Sequence, residues 1–143
     1  MKKVFSILLL VFLSLSCSKD SINNNNPYLP TYRFTSSTIN LNLPLYSPLL
    51  SPGNPITYYE SNVGIQGKIF IMYTGSMYVA FDAVCPNQSI TSCSSMNLSG
   101  IKAVCDCDGA EYSLFSGQAT GKQYPMVQYR VEQLSATSIR VYN

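Results

Sequence analysis

Lys68-Ile69-Phe70-Ile71-Met72-Tyr73-Thr74-Gly75-Ser76-Met77-Tyr78-Val79-Ala80-Phe81-Asp82-Ala83-Val84 reads as a β-hairpin and decides the class of the fold. Its two arms are rich in β-branched and aromatic residues, which fit a pleated surface. Between them, Thr74-Gly75-Ser76 is a turn in which Gly75 supplies the positive φ that tight hairpins require. Upstream, Ile39, Leu41, Leu43 and Leu45 alternate with Asn40, Asn42 and Pro44. That period predicts a half-buried strand, and its proline places the strand at a sheet edge. Ser51-Pro52-Gly53-Asn54-Pro55 is a loop by its turn chemistry. Downstream, residues 126–134 and 137–142 form a second hairpin around Ser135-Ala136. The stretch from Cys85 to Gly117 alternates short strands with tight turns. No segment from Thr31 onward carries a helical period. The expectation is an all-β domain over residues 31–143, with about seven to nine short strands in small antiparallel sheets.

Composition narrows the function. The chain has 143 residues, room for one domain of ordinary size. Only 11% of residues are charged, under half the share of roughly 25% usual in soluble domains. Ser, Thr, Asn and Tyr must therefore supply the polar surface, which suits an exported, strand-rich protein. There is no histidine. Its absence excludes Ser-His-Asp and Cys-His nucleophile systems, His-ligated zinc or haem, and His acid–base catalysis. No paired carboxylates, activated serine or phosphate loop replaces them, so the expectation is not an enzyme.

The N-terminus gives an address. Lys2 and Lys3 precede the apolar run from Val4 to Leu13, which is followed by small residues. The run is too short for a membrane-spanning helix, which needs about 20 apolar residues. Residues 1–16 therefore read as an export signal, the one helical segment expected. Ser16-Cys17 directly behind it resembles a bacterial lipoprotein box, with Ser14 standing where leucine is most usual. The resemblance implies lipid attachment at Cys17 and an outer-membrane location, on the periplasmic or the cell-surface face. Ser18-Lys19-Asp20 resembles the charged start of Bacteroidetes lipoproteins, and Asp20-Ser21-Ile22 resembles the short O-glycosylation sequon of that phylum. Residues 17–30, with Asn23 to Asn26, Pro27 and Pro30, read as a disordered tether. Without the two lysines of the signal, seven basic and seven acidic residues balance. No basic patch remains for nucleic acid.

Four cysteines stand apart from Cys17: Cys85, Cys93, Cys105 and Cys107. In an oxidising compartment an even count in a short domain points to disulfides. A Cys105–Cys107 bridge would close a strained three-residue ring. Two connectivities remain: Cys85–Cys105 with Cys93–Cys107, or Cys85–Cys107 with Cys93–Cys105.

The same residues carry a family resemblance. Ala80-Phe81-Asp82-Ala83-Val84-Cys85-Pro86-Asn87 resembles the first cluster-binding loop of Rieske iron–sulfur domains. Cys105-Asp106-Cys107-Asp108-Gly109-Ala110-Glu111-Tyr112-Ser113-Leu114-Phe115-Ser116-Gly117 resembles the second. The family pattern is C-x-H followed by C-x-x-H, and the 17 residues between Asn87 and Cys105 fall within its spacing. Gly109, Tyr112 and Gly117 stand where that family has glycine, an aromatic and glycine. The resemblance covers roughly residues 39–143 and implies a Rieske-like fold of small antiparallel sheets.

The departure is equally specific. A Rieske centre holds one iron by two thiolates and the other by two histidines. Here Asn87 and Asp108 occupy the two histidine positions, and only Cys85 and Cys105 match. The resemblance implies that Cys85 and Cys105 face each other across the vacated site and oxidise to a disulfide, with Cys93–Cys107 as the second bridge. The expected cofactor is none. The expected role is a structural or protein-interaction lipoprotein, anchored to the membrane through the lipid on Cys17 and associated with an outer-membrane protein complex. Two other readings are kept. One is an electron carrier with an atypical 2Fe-2S cluster, held by Cys85 and Cys105 with Asp108, or by all four cysteines. The other is a thiol–disulfide role for Cys105-Asp106-Cys107, which lacks the C-x-x-C spacing. Asp82, Asp106 and Asp108 read as turn residues capping backbone amides rather than as a metal site.

Overall fold

The computed structural model describes residues 22–143. The signal over residues 1–16, Cys17 and the Asp20-Ser21-Ile22 sequon's first two residues lie outside them. Nine strands follow in order: β1 (Ile39–Asn40), β2 (Ile56–Tyr59), β3 (Lys68–Tyr73), β4 (Tyr78–Asp82), β5 (Asn97–Ser99), β6 (Lys102–Val104), β7 (Glu111–Ser113), β8 (Gln128–Ser135) and β9 (Ser138–Tyr142). They form a six-stranded sheet in the order β1-β9-β8-β4-β3-β2 and a three-stranded sheet β5-β6-β7. Every strand pairing is antiparallel. Among the described residues there is no α-helix, only one 3-10 turn at Ser47–Leu50. The all-β class with small antiparallel sheets is what the chain adopts.

The opening hairpin forms in the expected place, with Ile69 opposite Asp82 and Tyr73 opposite Tyr78. Its apolar run is nearly continuous because both faces of β3 are covered. Ile69 and Ile71 join a core with Ala80, Tyr129, Ile139, Val141, Leu41 and Leu49. Phe70 and Met72 point to a second core with Phe81, Met96, Tyr112, Leu114 and Met126. That second core also contains Cys85 and Cys105. The central hairpin therefore serves as the floor on which the cysteine loops are built.

Two expectations are corrected. The strand expected from Ile39 to Leu45 ends after Asn40. Asn40 Oδ1 accepts the Asn42 N–H at 3.0 Å, and the Asn40 carbonyl accepts that of Leu43. Such local bonds compete with a sheet ladder, and the chain rolls into a turn that leaves Leu43 and Leu45 49% and 68% exposed. The disordered tether expected over 17–30 is also corrected across its second half. Asn24 exchanges two hydrogen bonds with the backbone of Gln128, at 2.8 and 2.9 Å. Asn26 Nδ2 donates to the Pro86 carbonyl at 2.7 Å. Leu29 is buried in the first core. Asparagine carries a donor and an acceptor on one short side chain, so it pairs with backbone that a sheet neighbour has left open.

Asp82 is the buried acid of the floor. Its Oδ1 accepts the Val84 N–H at 2.9 Å. Its Oδ2 accepts the Ile65 N–H at 2.7 Å and the Tyr129 hydroxyl at 2.8 Å. Burial pushes its carboxyl up to about 6, against the opposing pull of those three bonds. Burial likewise pushes the Tyr129 hydroxyl well up, and the neighbouring Asp82 charge adds to it. Gly64 lets the Ile65 loop come this close: a Cβ there would stand 2.6 Å from Asp82 Oδ2.

Candidate functional site: the paired cysteine loops

Three loops converge at one end of the second core. The first, residues 85–95, leaves the central hairpin. Its neck is closed by Cys85 N–H to the Ser94 carbonyl at 2.8 Å and Met96 N–H to the Ala83 carbonyl at 2.7 Å. Lys68, at the start of β3, braces it by donating to Ser95 Oγ at 3.1 Å and the Met96 carbonyl at 2.5 Å. Burial holds that ammonium below the usual lysine range. The second loop, residues 105–110, joins β6 to β7. Cys105 and Ala110 hold it shut, N–H to carbonyl at 2.9 Å, and Gly109 N–H returns to the Cys105 carbonyl at 2.8 Å. The third loop runs from Leu114 to Val127, between β7 and β8.

The structure pairs Cys85 with Cys105 and Cys93 with Cys107, with Cα–Cα distances of 5.6 and 5.1 Å. The first bridge is buried, each cysteine being 1% exposed. The second lies outside it: Cys93 is exposed and Cys107 half-buried. The bridges are stacked, for the sulfurs of Cys85, Cys105 and Cys107 all lie within 4.8 Å of one another.

Both residues at the histidine positions are engaged by the third loop. Asn87 Nδ2 donates to the Tyr124 carbonyl at 2.7 Å and to the Tyr112 hydroxyl at 2.9 Å. Its Oδ1 accepts the Tyr124 N–H at 2.9 Å. Asp108 Oδ1 accepts the Ala110 N–H at 3.0 Å, and Oδ2 meets Lys122 Nζ at 2.5 Å. The Lys122 hydrogen bond holds the Asp108 carboxyl below its ordinary range. Asp106 is placed apart, accepting from Asn97 Nδ2 at 2.9 Å. The three aspartates singled out in the sequence thus have separate partners. Asp82 and Asp108 accept backbone N–H groups as the turn reading expects; Asp106 takes a side-chain amide instead.

These donors can be tested against a Rieske cluster, which needs two thiolates and two imidazoles. Cys85 and Cys105 are joined as a disulfide and offer no thiolate. Asn87 has an amide, with both Nδ2 hydrogens and the oxygen in use. Asp108 is an acceptor already paired with a cation. As arranged, the residues do not fit that group.

Sequence reasoning missed Tyr124, Lys122 and Gln88. Gln88 Nε2 lies 2.6 Å from Cys107 Sγ. No local pattern joins Asn87 to Tyr124, 37 residues on. The only available signal was the resemblance itself, which marks Asn87 and Asp108 as sites whose partners needed finding.

No family model matches this chain, and no curated protein is similar to it. Solved structures similar to it include the complex of reduced oxygenase and oxidized ferredoxin in carbazole 1,9a-dioxygenase. That match has 18% identity and a TM-score of 0.44, covering 64% of this chain and 82% of the other. A Sphingomonas yanoikuyae B1 ferredoxin matches at 15% identity and a TM-score of 0.43, covering 65% and 88%. The ferredoxin of carbazole 1,9a-dioxygenase from Nocardioides aromaticivorans IC177 matches at 16% and 0.41, covering 78% and 97%.

Proposed function

We propose that this chain is an outer-membrane lipoprotein whose Rieske-like β domain has lost its iron–sulfur cluster and acts as a structural or protein-interaction module. The observation that carries the reading is the donor set. The two cysteines at the cluster positions are bonded to each other, and Asn87 and Asp108 are tied to Tyr124 and Lys122. Two disulfides joining the first loop to the second take over the cross-linking that a cluster would provide. The domain is then a rigid platform, tethered through Cys17, and no catalytic step is assigned to it. Its partner class is a protein of an outer-membrane assembly; nucleic acid is not part of the reading.

The alternative is an electron carrier with an atypical 2Fe-2S cluster, held by Cys85 and Cys105 with Asp108 or with the remaining cysteines. It is favoured by the closeness of the Cys85, Cys105 and Cys107 sulfurs. It requires the buried bridge to be reduced. Iron and acid-labile sulfide analysis, with an absorbance spectrum, on mature protein isolated without oxygen separates the two. The expected protein is colourless and free of iron. Stoichiometric iron and sulfide would overturn the reading. The anchor is tested separately by metabolic labelling with a fatty acid, whose incorporation is expected to vanish in Cys17→Ser.

A further inference from the structure

The two bridges differ in access, and one sulfur lies beside both. Cys93 is exposed, whereas Cys85 and Cys105 are sealed in the second core. Between them, Cys107 Sγ is bonded to Cys93 and lies within 4.8 Å of the sulfurs of Cys85 and Cys105. Cys107 Sγ is also the sulfur around which the polar groups gather. Gln88 Nε2 donates to it at 2.6 Å, and the hydroxyls of Thr91 and Ser94 lie 3.7 and 4.0 Å away. Among the described residues, Cys93 Sγ has only the Thr91 hydroxyl, at 3.3 Å. The nearby carboxylates face elsewhere, Asp106 toward Asn97 and Asp108 toward Lys122.

Thiol–disulfide exchange favours attack on the accessible sulfur and departure of the sulfur whose thiolate is better stabilised. Hydrogen-bond donors stabilise a thiolate. Both criteria select the same direction here. We propose that Cys93–Cys107 is a thiol-exchange site for an external dithiol, and that Cys107 relays the exchange to the buried Cys85–Cys105 bridge.

In the first step a thiolate of the dithiol attacks Cys93 Sγ. A mixed disulfide forms, the Cys93–Cys107 bond breaks, and Cys107 leaves as a thiolate facing Gln88. The second thiol of the reagent then displaces Cys93, which takes up a proton. The reagent is oxidised to its disulfide, and the outer bridge is reduced by two electrons. In the relay step Cys107 Sγ attacks Cys85 Sγ. A Cys85–Cys107 bond forms, the Cys85–Cys105 bond breaks, and Cys105 becomes the thiolate, with no net change in oxidation. Attack on Cys105 instead would close the three-residue ring. The relay therefore moves the one remaining bridge from Cys85–Cys105 to Cys85–Cys107 and leaves Cys93 and Cys105 reduced. A second equivalent of dithiol can complete reduction at the bond so formed.

The test uses the folded chain and dithiothreitol as the dithiol, with timed quenching by alkylation and peptide mapping. In the unaltered protein the outer bridge is expected to be reduced first, and monothiol glutathione is expected to be captured on Cys93 rather than on Cys107. Two variants isolate the relay. Cys93→Ser and Cys107→Ser both lack the outer bridge, but only the first keeps the Cys107 thiol. The buried bridge is expected to open at least tenfold faster in Cys93→Ser, with a Cys85–Cys107 species trapped by alkylation. Equal opening rates in the two variants would overturn the relay. Simultaneous reduction of both bridges in the unaltered protein would overturn the exchange site, and needs no variant to fold.

Discussion

Asn87 and Tyr124 clasp each other: the amide of one both donates to and accepts from the backbone of the other, at 2.7 and 2.9 Å. This contact joins the first cysteine loop to the third. With Lys122 on Asp108, it also fixes the third loop over both cysteine loops.

Asn87→Ala would leave the Tyr124 N–H and carbonyl without their partners. Leaving half-buried polar groups unpaired costs about 1–3 kcal/mol, and we expect a loss of that size in chemical denaturation. Asp108→Ala removes a partly exposed ion pair, and pairs of that kind contribute little. A near-neutral result is expected there, smaller still at high salt. An Asn87→Ala variant as stable as Asp108→Ala would contradict the ranking.

Replacing both cysteines of one bridge by alanine should separate the two bridges. Each closes a loop of 14 or 20 residues in sequence separation, worth roughly 3 kcal/mol in the chain-entropy model. Cys85 and Cys105 are also buried in the second core, so their loss adds a packing penalty. The Cys85/Cys105 variant is expected to be the less stable one by denaturant midpoint. Without reductant, alkylation of the denatured mature protein should label none of the four cysteines.

Asp82 makes stability depend on pH in an unusual direction. Its carboxyl lies at about 6, above the ordinary 3.8, so the folded chain binds the proton more readily than the unfolded chain does. The stability from this group is fully present below about pH 4 and is lost as the pH rises through 6. Thermal unfolding from pH 4 to 8 reads the trend, and carbon NMR of the carboxyl reads the midpoint. The Tyr129 hydroxyl opposes the upward shift, so Tyr129→Phe should move the midpoint higher still.

Gly117→Ala probes the seam between the third loop and the floor. Gly117 has φ +71°, and a Cβ there would stand 2.8 Å from Phe81 Cε1. Backbone strain and the clash act together, for an expected loss of about 2–4 kcal/mol in denaturation experiments. A neutral Gly117→Ala would mean that Phe81 moves freely in the second core.

How much was legible follows from how local each signal was. The 68–84 hairpin announces itself because two arms of β-branched and aromatic residues and the turn between them lie within one short stretch. Ring size narrows the cysteine pairing to two arrangements, and the family resemblance points to the one the structure holds, Cys85–Cys105 with Cys93–Cys107. The Ile39–Leu45 reading failed because period two cannot see Asn40 and Asn42 bonding into a turn. The run Asn23–Asn26 looks like a solvated spacer by composition, and only the open backbone of Gln128 and Pro86 gives those amides partners. The Tyr124 and Lys122 contacts were illegible for the same reason: each joins residues far apart in the chain and has no periodic signature.

The asparagine clasps of the N-terminal arm set the length of a leash. Asn24 is held on Gln128, and Asn26 on Pro86 beside Cys85. Asn24 stands seven residue steps after Cys17, a reach of about 25 Å at full extension. On the proposed anchor, the cysteine end of the domain is thus kept close to the lipid headgroups and the opposite end stands outward. A partner or a reducing agent would have to meet the outer bridge near the membrane plane.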